Sequence, residues 1–377
     1  MAIDHEPLTA APSRRPGNRE LYIDAFRGLM ALVMVQGHVC DALLTAAARA
    51  EPWYVFQAMF HGTTAPGFLF ASGFVAGLPR APLSLRASLR RARRLLFVLG
   101  VGYFLHLPYF SLGKTLAAAS PAEMAALFAC DALQVIAVTQ LLVIVLQWLA
   151  GPRWPLAGAI LGLLILVLGP FVWASGVSAS LPAPLAAYLD QRSGSIFPVF
   201  PFSAFVLAGT LAGSTLGRQE PGIRHRRALL AGLGLLVLGF GLTPLLEGRV
   251  GFWGVSPAYV LIRLGGLLLL LLLVEAACRR PLPGVAALGL LGHETLLVYV
   301  LHLVLLFGGI FGPGLLAPWQ GRLSFAGAFA TVGLMIPVLL AAAGAWRAFK
   351  ARYPHEAWLL LVFLTTAVVC EFLTSPW

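Results

Sequence analysis

Charged residues are scarce in this chain, and acidic residues most of all. Only 11% of its 377 residues are Asp, Glu, Lys or Arg, and only 15 are acidic. Hydrophobic residues make up 59% of the chain, and the mean hydropathy is +0.86. A soluble globular domain carries about twice that share of charge, so this composition excludes an ordinary soluble protein.

Cysteine is also rare and shows no pairing pattern. The four cysteines are Cys40, Cys130, Cys278 and Cys370, and none of them belongs to a C-x-x-C motif. A disulfide framework or a cysteine metal site needs paired spacing, so neither is expected, and no metal is predicted. These residues are interpreted as small apolar packing residues within or near spans.

Several catalytic signatures are missing as well. The chain contains no nucleophile elbow, no P-loop and no glycine-rich dinucleotide turn. This favours direct general-base chemistry over a covalent Ser-His-Asp route, although Ser72 remains open as a nucleophile. No internal repeat is visible, which argues mildly against transporters built from inverted repeats.

What the chain has instead is a series of apolar runs long enough to cross a bilayer core of about 30 Å. We predict an all-α, polytopic transmembrane helix bundle with about eleven spans. Residues 1–20 are predicted to be a polar cytoplasmic tail, not a cleaved signal, and residues 21–377 a single membrane domain. The predicted spans are 21–45, 64–79, 93–112, 124–149, 154–174, 196–217, 228–247, 257–278, 286–308, 324–345 and 356–374.

The basic residues orient these spans. With a cytoplasmic N-terminus, nineteen of the 26 Lys and Arg residues fall on the inner side, five fall on the outer side, and Arg27 and Arg263 lie within spans. This asymmetry follows the positive-inside rule. The net charge of +11 is therefore interpreted as membrane orientation beside anionic headgroups, and nucleic acid is not expected as a partner.

The first span carries four ionisable side chains, which are costly in a bilayer and therefore candidates for function. Asp24 and Arg27 lie near its cytoplasmic end, on one face. His38 follows Arg27 by eleven residues, or roughly 16 Å, and returns to the same face after three turns. Asp41 follows His38 by three residues, so the spacing predicts that Asp41 orients His38 as a general base.

Structural roles for these groups stay open. Asp24 and Arg27 can form an interfacial ion pair that only orients the helix, and His38 can be a buried histidine bonded to a carbonyl. Each isolated ionisable residue in the other spans is more often a packing or capping residue than a catalyst. The further polar residues expected to face the interior are His61, His106, Asp131, Gln134, Arg263, Glu275, His293, Glu294, Tyr299 and His302.

Short motifs in four spans resemble known membrane acyltransferases. The segment "DAFRGLMALVMVQGH" resembles the D-x-x-R-G…H opening of the acyltransferase-3 family. The segments "APGFLFASGFVAG" and "FPVFPFSAFVLAG", with the ninth-span pattern L-G-x-x-[ST]-L-x-x-Y-x-x-H, are similar to a sister group. That group is the bacterial proteins classed with heparan-α-glucosaminide N-acetyltransferase.

The resemblance implies a histidine catalyst and acyl-CoA, usually acetyl-CoA, as cytosolic co-substrate. By position it matches His38 and Arg27 to the acyltransferase-3 motif, and Tyr299 and His302 to the sister group. The sister group implies a loop histidine instead of His38, and here His61 lies in that region without the family's W-N-G context. His293 stands where arginine or asparagine is commoner.

We therefore predict a membrane acyltransferase that moves an acyl group to a hydroxyl or amine of a sugar or envelope glycan. The catalytic candidates are His38, Asp41, His61 and His302. Asp24, Arg27, Arg94 and Tyr299 are the acyl-CoA candidates, because an arginine-rich inner face suits the phosphates. A multi-pass protein of the bacterial cytoplasmic (inner) membrane is expected, and the sequence does not fix an oligomeric state.

Two other functions explain the same charges. A proton-coupled transporter could use Asp24, His38, Asp41 and His302 as a relay. A non-catalytic partner in envelope polysaccharide assembly would keep its activity when His38 is replaced.

Overall fold

The computed structural model describes residues 21–78, 84–192, 194–217, 219–251, 254–309 and 312–375. The predicted polar tail at residues 1–20 lies outside the described residues. So do two further arginines of the predicted inner group, Arg80 and Arg218.

The described residues fold almost entirely into α-helices, which confirms the predicted fold class. Beside the helices, they form three short 3-10 turns and one small antiparallel pair of strands, β1 (Gly308–Gly309) and β2 (Gly312–Pro313). The helices are α1 (Leu21–Leu43), α2 (Ala46–Arg49), α3 (Pro52–His61), α4 (Thr64–Gly77), α5 (Leu85–Leu105), α6 (Leu112–Ala118), α7 (Pro121–Leu127), α8 (Ala132–Ala150), α9 (Trp154–Ser175), α10 (Ala183–Ala186), α11 (Val199–Leu216), α12 (Pro221–Leu246), α13 (Pro257–Cys278), α14 (Val285–His293), α15 (Thr295–Phe307), α16 (Phe325–Arg352) and α17 (Pro354–Thr374).

Within the described residues, seven helical stretches are long and apolar enough to cross a membrane, or eight if the bent pair α14 and α15 forms one span. One of the seven, Ala132–Ser175, contains the predicted span 154–174 and most of the predicted span 124–149. α4 has only 14 residues, or about 21 Å of helix, and α5 begins with an arginine-rich turn. The predicted total of eleven spans stays a prediction.

Two predicted spans are interrupted. The run predicted at 124–149 is divided between α7 and α8, and the Asp131 carboxylate caps α8 by accepting the Ala132 N–H at 2.7 Å. The run predicted at 286–308 bends by 84° between α14 and α15. At that bend the buried Glu294 carboxylate accepts two hydrogen bonds from Lys350 Nζ of α16, at 2.6 and 2.7 Å.

Helix α1 lies at the centre of the bundle, where it packs against α4, α13, α14, α15 and α16. Phe26 and Val39 are fully buried along it. Gly28 and Gly292 let α1 and α14 touch backbone to backbone, since a Cβ on Gly28 would lie 1.9 Å from the Leu288 carbonyl oxygen. Small residues at helix contacts are typical of membrane bundles.

The opposite surfaces of the outer helices are apolar and exposed. Val237 of α12 is 74% exposed, Leu334 of α16 is 73% exposed and Phe363 of α17 is 67% exposed. Large apolar side chains on the outside of a bundle are what lipid contact requires.

Two ion clusters contain only residues predicted for the inner side or the inner ends of spans. In one, Glu275 pairs with Arg224 and Arg279. The other joins α1, α14 and α16, and its members are Asp24, Arg27, His293, Glu294 and Lys350.

Candidate active site

Two histidines from distant parts of the sequence meet inside the bundle. His38 of α1 and His302 of α15 approach with Nδ1 of His38 2.8 Å from Nε2 of His302. Their ring centroids are 5.1 Å apart and the rings are within 17° of parallel. His302 is fully buried. The sequence singled out both residues, and the structure places them in direct contact.

The hydrogen bonds assign a tautomer to each ring. Nδ1 of His302 lies 2.9 Å from the carbonyl oxygen of Val298, so that nitrogen must donate. Nε2 of a neutral His302 then accepts, and Nδ1 of His38 donates to it. Nε2 of His38 is left with a free lone pair. The arrangement leaves Nε2 of His38 able to accept a hydrogen bond, while the contact with His302 holds the ring in place.

A cavity of about 730 Å³ lies against His38. We call it the histidine chamber, and its polar lining residues are His38, His106, Asp131, Gln134 and Tyr299. Most of its remaining wall is apolar, contributed by side chains such as Phe104, Phe110 and Leu303. Its volume is in the range of small-molecule sites.

A second cavity of about 270 Å³ lies beside the first and is lined by residues of α1, α4, α5, α8 and α15. We call it the arginine chamber, since Arg27 is its one charged lining residue among those described. Ser72, Gln140 and Thr295 supply further polar atoms.

The two chambers share part of their walls. Leu133 of α8 and Tyr299 of α15 line both of them. Tyr299 also packs edge to face with His302, with ring centroids 5.8 Å apart. His38 lines only the histidine chamber, and Tyr299 is the residue that links the histidine pair to the wall shared by both chambers.

Asp41 does not orient His38, which corrects the sequence prediction. Its carboxylate accepts a hydrogen bond from the Tyr54 hydroxyl at 2.6 Å and lies 3.8 Å from Nδ1 of His61. The reason is that α1 ends at Leu43 and the chain folds back into α3, which brings Tyr54 and His61 to Asp41. The orienting role passes to His302.

His61 lies behind His38 and outside both chambers as the described residues line them. Its ring packs against Gly37, where an added Cβ would come within 2.0 Å of Nε2. That Nε2 is buried and has no hydrogen-bond partner among the described residues. Burial lowers the pKa of His61, and the nearby Asp41 carboxylate opposes that shift. The pKa of Tyr54 is raised by burial and by its bond to Asp41.

Of the predicted acyl-CoA residues, Arg27 and Tyr299 line the arginine chamber, whereas Asp24 and Arg94 do not. Arg27 lines the arginine chamber and pairs with Asp24 at 3.3 Å, so the ion pair considered from the sequence does form. Asp24 in turn lies 3.6 Å from Nδ1 of His293. Arg94 is exposed on α5, next to the chamber residue Leu95.

Three polar residues join the site that the sequence had named only as possible partners from other spans. Gln134 lies 3.4 Å from Nδ1 of His106 through its amide nitrogen, and Nε2 of His106 lies 3.7 Å from Asp131. The Tyr299 hydroxyl donates to Asp131 at 3.4 Å. The sequence showed only that these polar residues lie at similar depths in their spans, and depth alone does not show which side chains contact one another.

The described residues contain no group of three or more His, Cys, Asp or Glu side chains placed to hold a metal ion. All four cysteines are free. That the protein works without a metal stays a prediction.

Fold and site together define a multi-pass helical membrane protein with a histidine pair inside the bundle and two adjoining chambers. Residues 20–370 match the family model of acyltransferase-3, described as an acyltransferase domain. The chain therefore belongs to the acyltransferase-3 family and is a membrane acyltransferase. Among curated proteins, no sequence matches it.

Proposed function

We propose that this protein transfers an acyl group, in the first place acetyl, from cytosolic acyl-CoA to a hydroxyl or amine of a sugar or envelope glycan. His38 is the general base, and the site of action is the bacterial cytoplasmic membrane. The observation that carries the proposal is the His38–His302 pair, in which His38 lines the histidine chamber beside Tyr299, a residue that both chambers share. The motif resemblance to heparan-α-glucosaminide N-acetyltransferase relatives supports acetyl as the group transferred.

Acyl-CoA enters through the arginine chamber in this proposal. A guanidinium has five N–H donors, so Arg27 can keep its bond to Asp24 and still bind a phosphate oxygen. The exposed Arg94 supplies a second positive charge close to the chamber wall. The thin pantetheine arm then extends between the helices, and the thioester reaches Tyr299 and His38.

The acceptor occupies the histidine chamber. Nε2 of His38 takes the proton from the acceptor hydroxyl while that oxygen attacks the thioester carbonyl carbon. The C–S bond then breaks, and the CoA thiolate leaves with the proton that His38 returns. The products are an acyl ester and CoA. General-base catalysis of this kind contributes about 10²–10⁴-fold to the rate.

Tyr299 is the better candidate for stabilising the oxyanion. The alternative is His302, which contacts His38 directly. Nε2 of His302 accepts from His38 and Nδ1 donates to Val298, so neither nitrogen has a proton to offer. The Tyr299 hydroxyl, with only a long bond to Asp131, can turn to the developing charge. A route through an acylated His38 uses the same geometry.

The first test is CoA release from labelled acetyl-CoA by the purified protein in lipid nanodiscs, with wild type compared to His38→Ala and His61→Ala. We expect His38→Ala to lose at least about 10²-fold in rate and His61→Ala to stay within a few-fold of wild type. If only His61→Ala is inactive, the loop histidine is the catalyst. A wild type that neither binds acetyl-CoA nor releases CoA overturns the proposal and moves the transporter function to first place.

His302 gives a matched pair of variants for its positioning role. His302→Ala removes the acceptor for His38 Nδ1–H, and we expect the turnover rate to fall about 10–10²-fold. His302→Gln can place an amide oxygen near the lost nitrogen, so part of the rate should return. Equal loss in both variants would mean that His302 acts by packing alone.

A further inference from the structure

Asp131 occupies the wall of the histidine chamber with one carboxylate oxygen only partly used. Oδ1 is committed, because it caps α8 through the Ala132 N–H at 2.7 Å. Oδ2 faces two weaker donors, the Tyr299 hydroxyl at 3.4 Å and Nε2 of His106 at 3.7 Å. Both distances exceed those of good hydrogen bonds to a carboxylate, which are about 2.5–2.9 Å. Oδ2 therefore keeps the capacity for a short bond to a ligand.

His106 is held so that it faces this oxygen. The Gln134 amide nitrogen lies 3.4 Å from Nδ1 of His106 and can only donate, which leaves the ring proton on Nε2, toward Asp131. Gln134 is fully buried, and Gly102 makes its position possible, because a Cβ there would lie 2.9 Å from the amide carbon. His106 is therefore a fixed neighbour of the Asp131 carboxylate.

Four of the five polar residues that line the chamber form one connected group, in which Gln134 and Asp131 contact His106, and Tyr299 contacts Asp131. His38, His106, Asp131, Gln134 and Tyr299 contrast with a lining that is otherwise phenylalanine, leucine, valine, glycine and proline. At about 730 Å³ the chamber has room for a good deal more than one hydroxyl group. Its lining fits a molecule with a small hydroxylated end and an apolar body.

We propose that Asp131 binds a second hydroxyl of the acceptor, next to the hydroxyl that His38 deprotonates. The acceptor is then a compound with two neighbouring hydroxyls on an apolar body, and Asp131 determines that preference. The inference rests on the proposed acyl transfer. The second hydroxyl donates to Oδ2, inserts between Tyr299 and His106, and directs the first hydroxyl to His38 Nε2. Since an ionised carboxylate makes a strong hydrogen bond, the second hydroxyl should be worth about tenfold or more in kcat/KM.

The test compares two alcohols that differ by one hydroxyl, 1,2-octanediol and 1-octanol. Wild type, Asp131→Asn and Glu51→Gln are reconstituted in phosphatidylcholine nanodiscs with radiolabelled acetyl-CoA, and octyl ester is separated from free acetate. Asparagine keeps the helix cap and the shape of aspartate while it removes the charge. Glu51→Gln removes a carboxylate that is exposed and outside both chambers.

The readout is the diol-to-alcohol ratio of kcat/KM within each protein, which does not depend on how much protein is folded. We expect a ratio of about ten or more for wild type and Glu51→Gln, and a ratio near one for Asp131→Asn. A wild-type ratio near one, or an unchanged ratio in Asp131→Asn, overturns the inference and leaves Asp131 as a helix cap.

The same assay separates the inference from the proposed function. CoA release that depends on His38 and yields only acetate overturns the role of Asp131 while acyl-CoA cleavage stands. No CoA release from wild type under any condition overturns both.

Discussion

His38 takes its orientation from another histidine, not from a carboxylate. A carboxylate in the place of His302 would add a charge next to His38, and buried ions are costly unless they are fully paired. The neutral pair avoids that cost, because Nδ1–H of His302 donates a hydrogen bond to the Val298 carbonyl oxygen and both rings stay uncharged. Two imidazolium rings cannot share a 2.8 Å contact, so the pair can hold one extra proton. One proton is what a single acyl transfer needs.

The burial of His61 leads to a prediction about how stability depends on pH. Burial lowers its folded pKa below the ordinary value of 6.5. Below about pH 6.5 the unfolded chain binds a proton at His61, whereas the folded protein leaves His61 neutral. The stability that comes from a neutral, buried His61 is therefore present above that pH and is lost as pH falls. We expect the unfolding temperature of wild type to fall more than that of His61→Gln between pH 7.5 and pH 5.5.

Differential scanning fluorimetry at both pH values measures this, with the other histidines present in both proteins. Equal falls in unfolding temperature would show that His61 does not stay neutral in the folded state. The Asp41 carboxylate, 3.8 Å away, favours the protonated ring of His61 and therefore acts against the expected difference.

Among the helices, the contact between α1 and α14 positions one end of the site. A Cβ on Gly28 would lie 1.9 Å from the Leu288 carbonyl oxygen, and one on Gly292 would lie 1.7 Å from the Asp24 carbonyl oxygen. No side chain can absorb such overlaps, since the obstacles are backbone atoms. The two helices would have to separate, and Arg27 and Asp24 lie in the same turns.

We therefore expect Gly28→Ala to lower the free energy of unfolding by about 1–3 kcal/mol or more, the cost of overpacking a filled interior. Gly266→Ala in α13 is the matched control, since a Cβ there meets nothing within 4 Å. That control should be neutral or stabilise by up to about 1 kcal/mol through helix propensity. Thermal unfolding in one detergent compares the two, and equal effects would contradict the close α1–α14 contact.

In the whole molecule, the positions of the two chambers can be compared with the unequal distribution of basic residues between the two sides of the membrane. The two ion clusters collect residues predicted for the inner side or the inner ends of spans, and the arginine chamber shares Arg27 with one of these clusters. The histidine chamber is lined by the last turn of α5, the first turn of α8 and the C-terminal part of α15. In the proposed function, acyl-CoA and the acceptor approach His38 through different chambers, and no helix has to move across the membrane.

Sidedness can be measured with single cysteines in a variant whose four native cysteines are replaced. Arg90 and Arg322 are both exposed, and we expect them on opposite faces. An impermeant maleimide should label Arg90→Cys only in inside-out vesicles and Arg322→Cys only in intact cells. Labelling of both from the same side would mean that the predicted orientation is wrong.

The sequence predicted the helical class from composition and the first span from its length and its D-x-x-R-G…H pattern. It also predicted the span at 257–278, which matches α13 residue for residue. It placed continuous spans over the α7–α8 and α14–α15 breaks, because apolar content continues through them. The Asp131 cap and the Glu294–Lys350 bond decide those breaks, and both depend on neighbours that hydropathy does not show.

By itself, the sequence determined that this protein lies in a membrane, which helices carry charge within it and that His38 is a candidate base. Only the tertiary structure decided that His302 orients His38, that Asp41 bonds Tyr54, and that Asp131 faces the same chamber as His38. The physical reason is that spacing along one helix fixes which side chains share a face. Which helix lies against that face is fixed by packing between segments hundreds of residues apart.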